Sequence, residues 1–164
     1  MNLYNQEEVE RIGKVKDAND KMEAFFLKRR EEWNKTIDPL FKVLSLDLTN
    51  PSNAKDLLNA QSLALSYKQM INEEVNLYLN KRSRETSKNK KLRQDKFVFY
   101  AIGFSVKTNN GEKAILIDGN LAENDRSIEL IESYIEFIRD TNKNLESFGY
   151  SIKNMIELLN YLGR

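Results

Sequence analysis

From residue 128 to residue 159 the chain repeats one pattern: Ile128, Ile131, Ile135, Ile138, Asn142, Leu145, Gly149, Ile152, Ile156 and Leu159 follow a 3,4 spacing. Eight of these ten positions are aliphatic. Such alternation, held over more than four heptads, is the a/d seam of a long amphipathic helix. A second stripe, Tyr134, Phe148, Met155 and Leu162, recurs at multiples of seven, with Leu130, Phe137 and Leu158 beside it. One helix with two apolar seams needs more than one partner surface, from its own chain and from another subunit. Ile at both a and d favours assemblies above the dimer. The spacing therefore predicts a C-terminal helix that forms an oligomeric bundle through Ile131, Ile135, Ile138, Leu145, Ile152, Ile156 and Leu159. Asn142 on the seam is placed to fix register, and Gly149 to mark a kink or a close approach.

The rest of the chain also favours a few long elements, since only two prolines and six glycines punctuate 164 residues. Residues 6–44 carry apolar side chains three to four apart and predict a helix, with Pro39 placed to kink or divide it near its end. Residues 47–53 (DLTNPSN) predict a turn in which Ser52 or Asn53 caps the next helix. That second helix is expected from residue 54 to about residue 80, and the basic run after it can extend it. Between residues 97 and 118 the character changes. FVFYAIGFSVKT and KAILID flank Asn109-Asn110-Gly111, a short-range hairpin signal. The expectation is a short β-hairpin of about residues 104–107 with 113–117; residues 97–103 are either strand or the end of the preceding helix. The predicted class is thus mainly α: long helices, one short β-hairpin and the Ile-rich C-terminal helix. The chain divides into an N-terminal helical segment 1–50, a segment 51–120 holding the basic run and hairpin, and an oligomerisation helix 121–164.

Composition removes much catalytic chemistry. The chain has no Cys and no His, which excludes disulfides, thiolate or imidazole metal sites, cysteine nucleophiles and the Ser-His-Asp triad. No GxxxxGK[ST], GxGxxG or EF-hand loop occurs. Asp118, Glu123 and Asp125 are the nearest approach to a carboxylate metal site, but their spacing matches no ligand pattern. Tyr and Lys remain as acid/base groups, with no constellation that singles one out. No cofactor, metal or enzymatic activity is expected. No apolar run reaches the ~18 residues of a membrane span, and the charged N-terminus lacks the apolar core of a signal peptide. The expectation is a soluble, cytoplasmic protein with no membrane partner.

Charge is unevenly placed behind a formal net of +1. Residues 81–96 hold eight bases, Lys81, Arg82, Arg84, Lys88, Lys90, Lys91, Arg93 and Lys96, against Glu85 and Asp95, a net of +6. Residues 112–140 hold eight acids against three bases, a net of −5. The basic block has a field that attracts polyanions. It runs into aromatics: residues 88–100 read KNKKLRQDKFVFY. Lys and Arg neutralise phosphates without reading sequence, while Phe97, Phe99 and Tyr100 offer stacking faces to unpaired bases. The bland alternative is a solvated helix end followed by core aromatics.

The C-terminal residues Phe148-Gly149-Tyr150-Ser151-Ile152-Lys153-Asn154-Met155-Ile156-Glu157, closing on Tyr161-Leu162-Gly163, resemble the closing motif of the UvsY recombination mediators of tailed phages. Upstream, Lys96, Phe99, Tyr100 and Gly103 are similar to that family's basic-aromatic-glycine motif for single-stranded DNA, with Gly103 one residue further on. The resemblance covers residues 88–164. It implies a non-enzymatic protein of the host cell cytoplasm that forms ring-like homo-oligomers through its C-terminal helices. It further implies binding of single-stranded DNA, help in displacing the single-strand-binding protein, and loading of a RecA-like recombinase. The expected DNA-binding residues are Lys81, Arg82, Arg84, Lys88, Lys90, Lys91, Arg93, Lys96, Phe99 and Tyr100. Two other expectations compete. In one, the chain is a helical assembly protein whose basic run pairs with the acidic segment of a neighbour. In the other it binds duplex DNA without preference for single strands.

Overall fold

The computed structural model describes residues 6–47, 50, 52–103 and 109–163. Three long helices account for nearly all of them: α1 (Gln6–Phe41), α2 (Ser52–Val98) and α3 (Asn110–Leu162). A 3-10 turn, Lys42–Ser45, follows α1, and a π-helical turn, Phe99–Gly103, follows α2. Glu7 and Glu8 in the first turn of α1 suit the positive end of its dipole. Pro39 lies in the last turn, so α1 ends two residues beyond it instead of dividing. The cap of α2 is Asn50, not Ser52 or Asn53. Its Oδ1 accepts from the Ser52 backbone N–H at 3.0 Å and from Ser52 Oγ at 2.8 Å. Asn53 instead donates through its amide to the Asp47 carbonyl at 2.6 Å.

The β-hairpin is a correction. Residues 104–107 lie outside the described residues, but its other half, 113–117, is helix, and no strand occurs among the described residues. Asn109 and Glu112 explain why. Asn109 Oδ1 accepts from the Glu112 backbone N–H at 2.9 Å, and Glu112 Oε2 accepts from the Asn109 backbone N–H at 2.8 Å. This reciprocal capping box starts a helix at the position where Asn-Asn-Gly resembles a hairpin turn. With the helix started, Ile117 and Leu121, one turn apart, reach the same core face as Tyr100. Residues 97–98 end α2, the alternative to strand that the sequence left open.

The chain forms two compact units, each taking one stretch of every long helix: Met1–Phe26 with Tyr78–Tyr134, and Leu27–Leu77 with Ile135–Arg164. The expected segments 1–50, 51–120 and 121–164 are consecutive in sequence, the second holding α2 and residues 110–120 of α3, whereas each of these units takes part of all three helices.

In the first unit, α2 runs antiparallel to α1 and α3. Lys96 pairs with Glu8 while Lys81 reaches Met22; Arg82 pairs with Glu132 while Arg93 pairs with Asp118. Phe26, Tyr78 and Tyr134 form a mutual aromatic contact: Phe26 stacks on Tyr134 at 4.4 Å, and Tyr78 meets both edge-on at 5.2 and 5.0 Å. Above that layer the interior becomes polar. Asn19, Asn89 and Asn120 are buried. Asn19 donates to the Glu123 carbonyl at 2.7 Å, and Arg11 donates to the Asn120 and Asn124 side chains at 2.6 and 3.0 Å. Such contacts fix helix register, because slipping them leaves buried amides unpaired.

In the second unit the core is aliphatic with aromatic ends. Trp33, Ile37, Leu40, Leu57, Ile71, Ile135, Ile138, Leu145, Phe148 and Ile152 are buried. Trp33 Nε1 donates to Glu74 Oε2 at 3.0 Å, and Arg29 Nη2 pairs with the same oxygen at 3.0 Å. Asn142, the polar residue of the seam, donates to Asn72 Oδ1 at 3.1 Å, so its register contact is made with α2 of its own chain. Gly149 marks no close approach, since a Cβ there would meet nothing within 4 Å.

Candidate nucleic-acid interface

The basic block 81–96 is helical throughout and continues α2 without a break. Helical periodicity then splits it. Arg82, Asn89, Lys96 and Tyr100 point towards the other helices of the first unit, while Lys81, Arg84, Lys88, Lys90 and Lys91 stay exposed.

The inward set is paired within the chain. Arg82 Nη1 lies 3.6 Å from Glu132 Oε1. Arg93, exposed at the edge of this set, bridges Asp118 and Asp125, the second at 3.3 Å, and Asn89 also donates to Asp125. Lys96 pairs with Glu8 of α1 and lies over the Phe99 ring at 5.7 Å. Burial lowers the Lys96 pKa from its ordinary value, because the charged ammonium loses solvent. Two of the eight bases, Arg82 and Arg93, thus meet three acids of the −5 block across α2 and α3 of one chain, and Lys96 meets α1. The surface field is smaller than the sequence tally suggests.

The outward set forms two stripes. Lys81, Arg84, Lys88 and Lys91 follow a 3,4,3 spacing and share one face, with Lys88 also 2.9 Å from Glu85. Lys90 and Phe97, seven apart, lie on another face, and Phe97 is exposed. The three expected stacking aromatics do not share one environment. Phe99 is 46 % exposed, whereas Tyr100 is 3 % exposed and packs with Ile117 and Leu121. Tyr100 is therefore a core residue, met edge-on by the Phe99 ring at 5.2 Å, while Phe97 and Phe99 each keep part of the ring exposed. Sequence gives the aromatic cluster but not this division, which follows from α2 carrying its helical phase through residue 96, so that Tyr100, one turn on, shares the inward face of Asn89 and Lys96.

The expected oligomerisation residues are mostly covered by their own chain. Ile131, Ile135, Ile138, Leu145 and Ile152 are at most 2 % exposed, and only Ile156 and Leu159 are half-buried. A contact with a second subunit has to use other side chains in place of those five.

The acidic candidates for a metal are engaged elsewhere. Asp118 and Asp125 hold Arg93, and Glu123 accepts from Asn19 and Arg126. Arg126 also reaches Asp20 and Glu23 of α1 at 2.9 and 2.7 Å, and its pKa is raised chiefly by the Asp20 bond. Among the described residues no three carboxylates gather as a metal site. Nor, among them, is any helix long and apolar enough to cross a membrane.

No family model matches the chain, and neither the curated proteins nor the solved structures give a match.

Proposed function

We propose that the chain binds single-stranded DNA along α2 and acts as an oligomeric recombination mediator in the cytoplasm. In this role it loads a RecA-like recombinase and helps to displace the single-strand-binding protein. One observation carries the binding: Arg84, Lys88, Lys90 and Lys91 are exposed without a carboxylate from another helix among the described residues, and the exposed rings of Phe97 and Phe99 come next along the chain. Cations that track a backbone, joined to rings that stack on bases, suit unpaired strands better than duplex, whose bases are not free to stack. The mediator role and the assembly above the dimer rest on the resemblance of residues 88–164.

The test is anisotropy of a labelled oligo-dT against a duplex of equal length, with light scattering for oligomeric state. Preference for the single strand, lost in Lys90→Glu/Lys91→Glu with the oligomer unchanged, supports the proposal. Loss of the oligomer in that variant, with no binding in the parent, favours an assembly protein. Unchanged recombinase loading on a protein-coated strand would remove the mediator role.

A further inference from the structure

The first unit holds a cavity of about 340 Å³ that shares only Lys81 with the exposed basic stripe of α2. All three helices of the unit contribute to it. Val15, Ala18, Met22 and Ile131 make an apolar floor, and Asn124 and Ser127 make a polar wall. Lys81 and Lys14, both exposed, stand at its mouth, Lys14 in a solvent-exposed pair with Glu10 at 2.7 Å that an incoming phosphate has to share. Its size falls within the range of small-molecule sites, and its mix of apolar lining with a few polar groups is the usual one.

Three details define the occupant. Lys81 lies 3.5 Å from the Met22 sulfur, while Glu85, one turn on and also lining the cavity, is held by Lys88 at 2.9 Å. A thioether is a weak acceptor, so the ammonium leans over the cavity with most of its hydrogen-bonding capacity unspent. Asn124 uses its Oδ1 to accept from Arg11, which leaves its amide donors for the cavity. Six of the ten lining residues are polar or charged, too many for an acyl chain. The lining suits a flat, partly polar ring that carries an anionic group: apolar faces against Met22 and Ile131, an edge acceptor for Asn124, and a phosphate for Lys81.

We propose that this cavity takes an unpaired nucleobase, with the attached phosphate on Lys81 and Lys14. The base comes from a strand bound along α2, since Lys81 begins the exposed basic stripe, or from a free mononucleotide. The first source rests on the single-strand proposal; the second does not.

The experiment uses the full chain and two probes. Saturation-transfer NMR with dTMP and dAMP reads the cavity alone, and anisotropy compares oligo-dT with an abasic oligomer of equal length. Ala18→Leu fills the floor from an exposed backbone position without altering charge, and Ala18→Ser is its control, both checked by thermal melting. Support is transfer to base protons that disappears in Ala18→Leu and persists in Ala18→Ser. In that case the abasic oligomer binds the parent roughly fivefold or more weakly than oligo-dT, the lower end for seating one base. That difference shrinks in Ala18→Leu, and Lys81→Gln weakens both probes. Oligo-dT binding with no mononucleotide signal and no change in Ala18→Leu overturns the cavity while single-strand binding stands. A mononucleotide signal sensitive to Ala18→Leu, without oligomer binding, upholds the cavity and removes the strand. Silence from both probes overturns both.

Discussion

Because the acids of α3 and Glu8 of α1 occupy part of the basic block, the salt dependence of DNA binding should report fewer cations than the sequence contains. Arg82, Arg93 and Lys96 face carboxylates from other helices; Lys81, Arg84, Lys88, Lys90 and Lys91 do not, among the described residues. On a single strand, log K falls by about 0.7 per unit of log salt for each phosphate neutralised, so five cations give a slope of about −3.5 and all eight about −5.6. Asp118→Asn/Asp125→Asn removes both carboxylates from Arg93 while leaving an amide oxygen for Asn89. Adding Arg93 steepens the slope by about 0.7, which is about a 2.6-fold greater loss of affinity across a fourfold rise in salt. The pairs are part-exposed and contribute at most ~1 kcal/mol each, so the variant stays folded. Anisotropy titrations of oligo-dT at four or more salt concentrations measure the slope, and calorimetric melting checks the fold. A parent slope near that for eight cations, or a slope unmoved by the double substitution, would refute the claim that pairing within the chain limits the interface.

Other outcomes rest on the same contacts. Phe99→Ala should weaken oligo-dT binding by ~1–3 kcal/mol per stacked base with little change in melting; Tyr100→Ala should do the reverse, since that ring is core. Asn109→Ala should lower the unfolding free energy by ~1 kcal/mol in urea titrations, and Asn109→Asp should retain most of it, because α3 begins on a capping box. Ile138→Ala should cost ~2–5 kcal/mol of unfolding free energy independent of protein concentration, as expected of a core residue covered in its own chain. A concentration-dependent loss would place Ile138 in a subunit contact.

Helical class, the apolar face of α3 from Ile128 onward and the start of α1 are legible in the sequence because they depend on local periodicity. Ile131, Ile135, Ile138 and Leu145 announce a buried face whatever covers it. The same pattern does not say whether the cover is another subunit or another helix of the same chain. Residues 109–117 mislead for a different reason. Asn-Asn-Gly serves a hairpin turn and a helix N-cap equally well, and the deciding partner, Glu112, looks in the sequence like one acid among many in an acidic block. Of the candidate interface, the cations are legible and their engagement is not. Glu8 lies 88 positions from Lys96, and only antiparallel packing brings them together.

The sequence by itself determined that this chain is helical, that its C-terminal third has a continuous apolar face, and that opposite charges are segregated along it. These are properties of neighbours within a few turns, where backbone geometry fixes which side chains share a face. The tertiary structure decided which faces are spent. It covered most of the Ile seam, set the basic block partly against the acidic one, turned Tyr100 inward with Phe97 and Phe99 left outside, and opened a cavity beside Lys81. Those outcomes depend on the register between helices, which buried amides, aromatic contacts and ion pairs fix over separations that no local pattern spans.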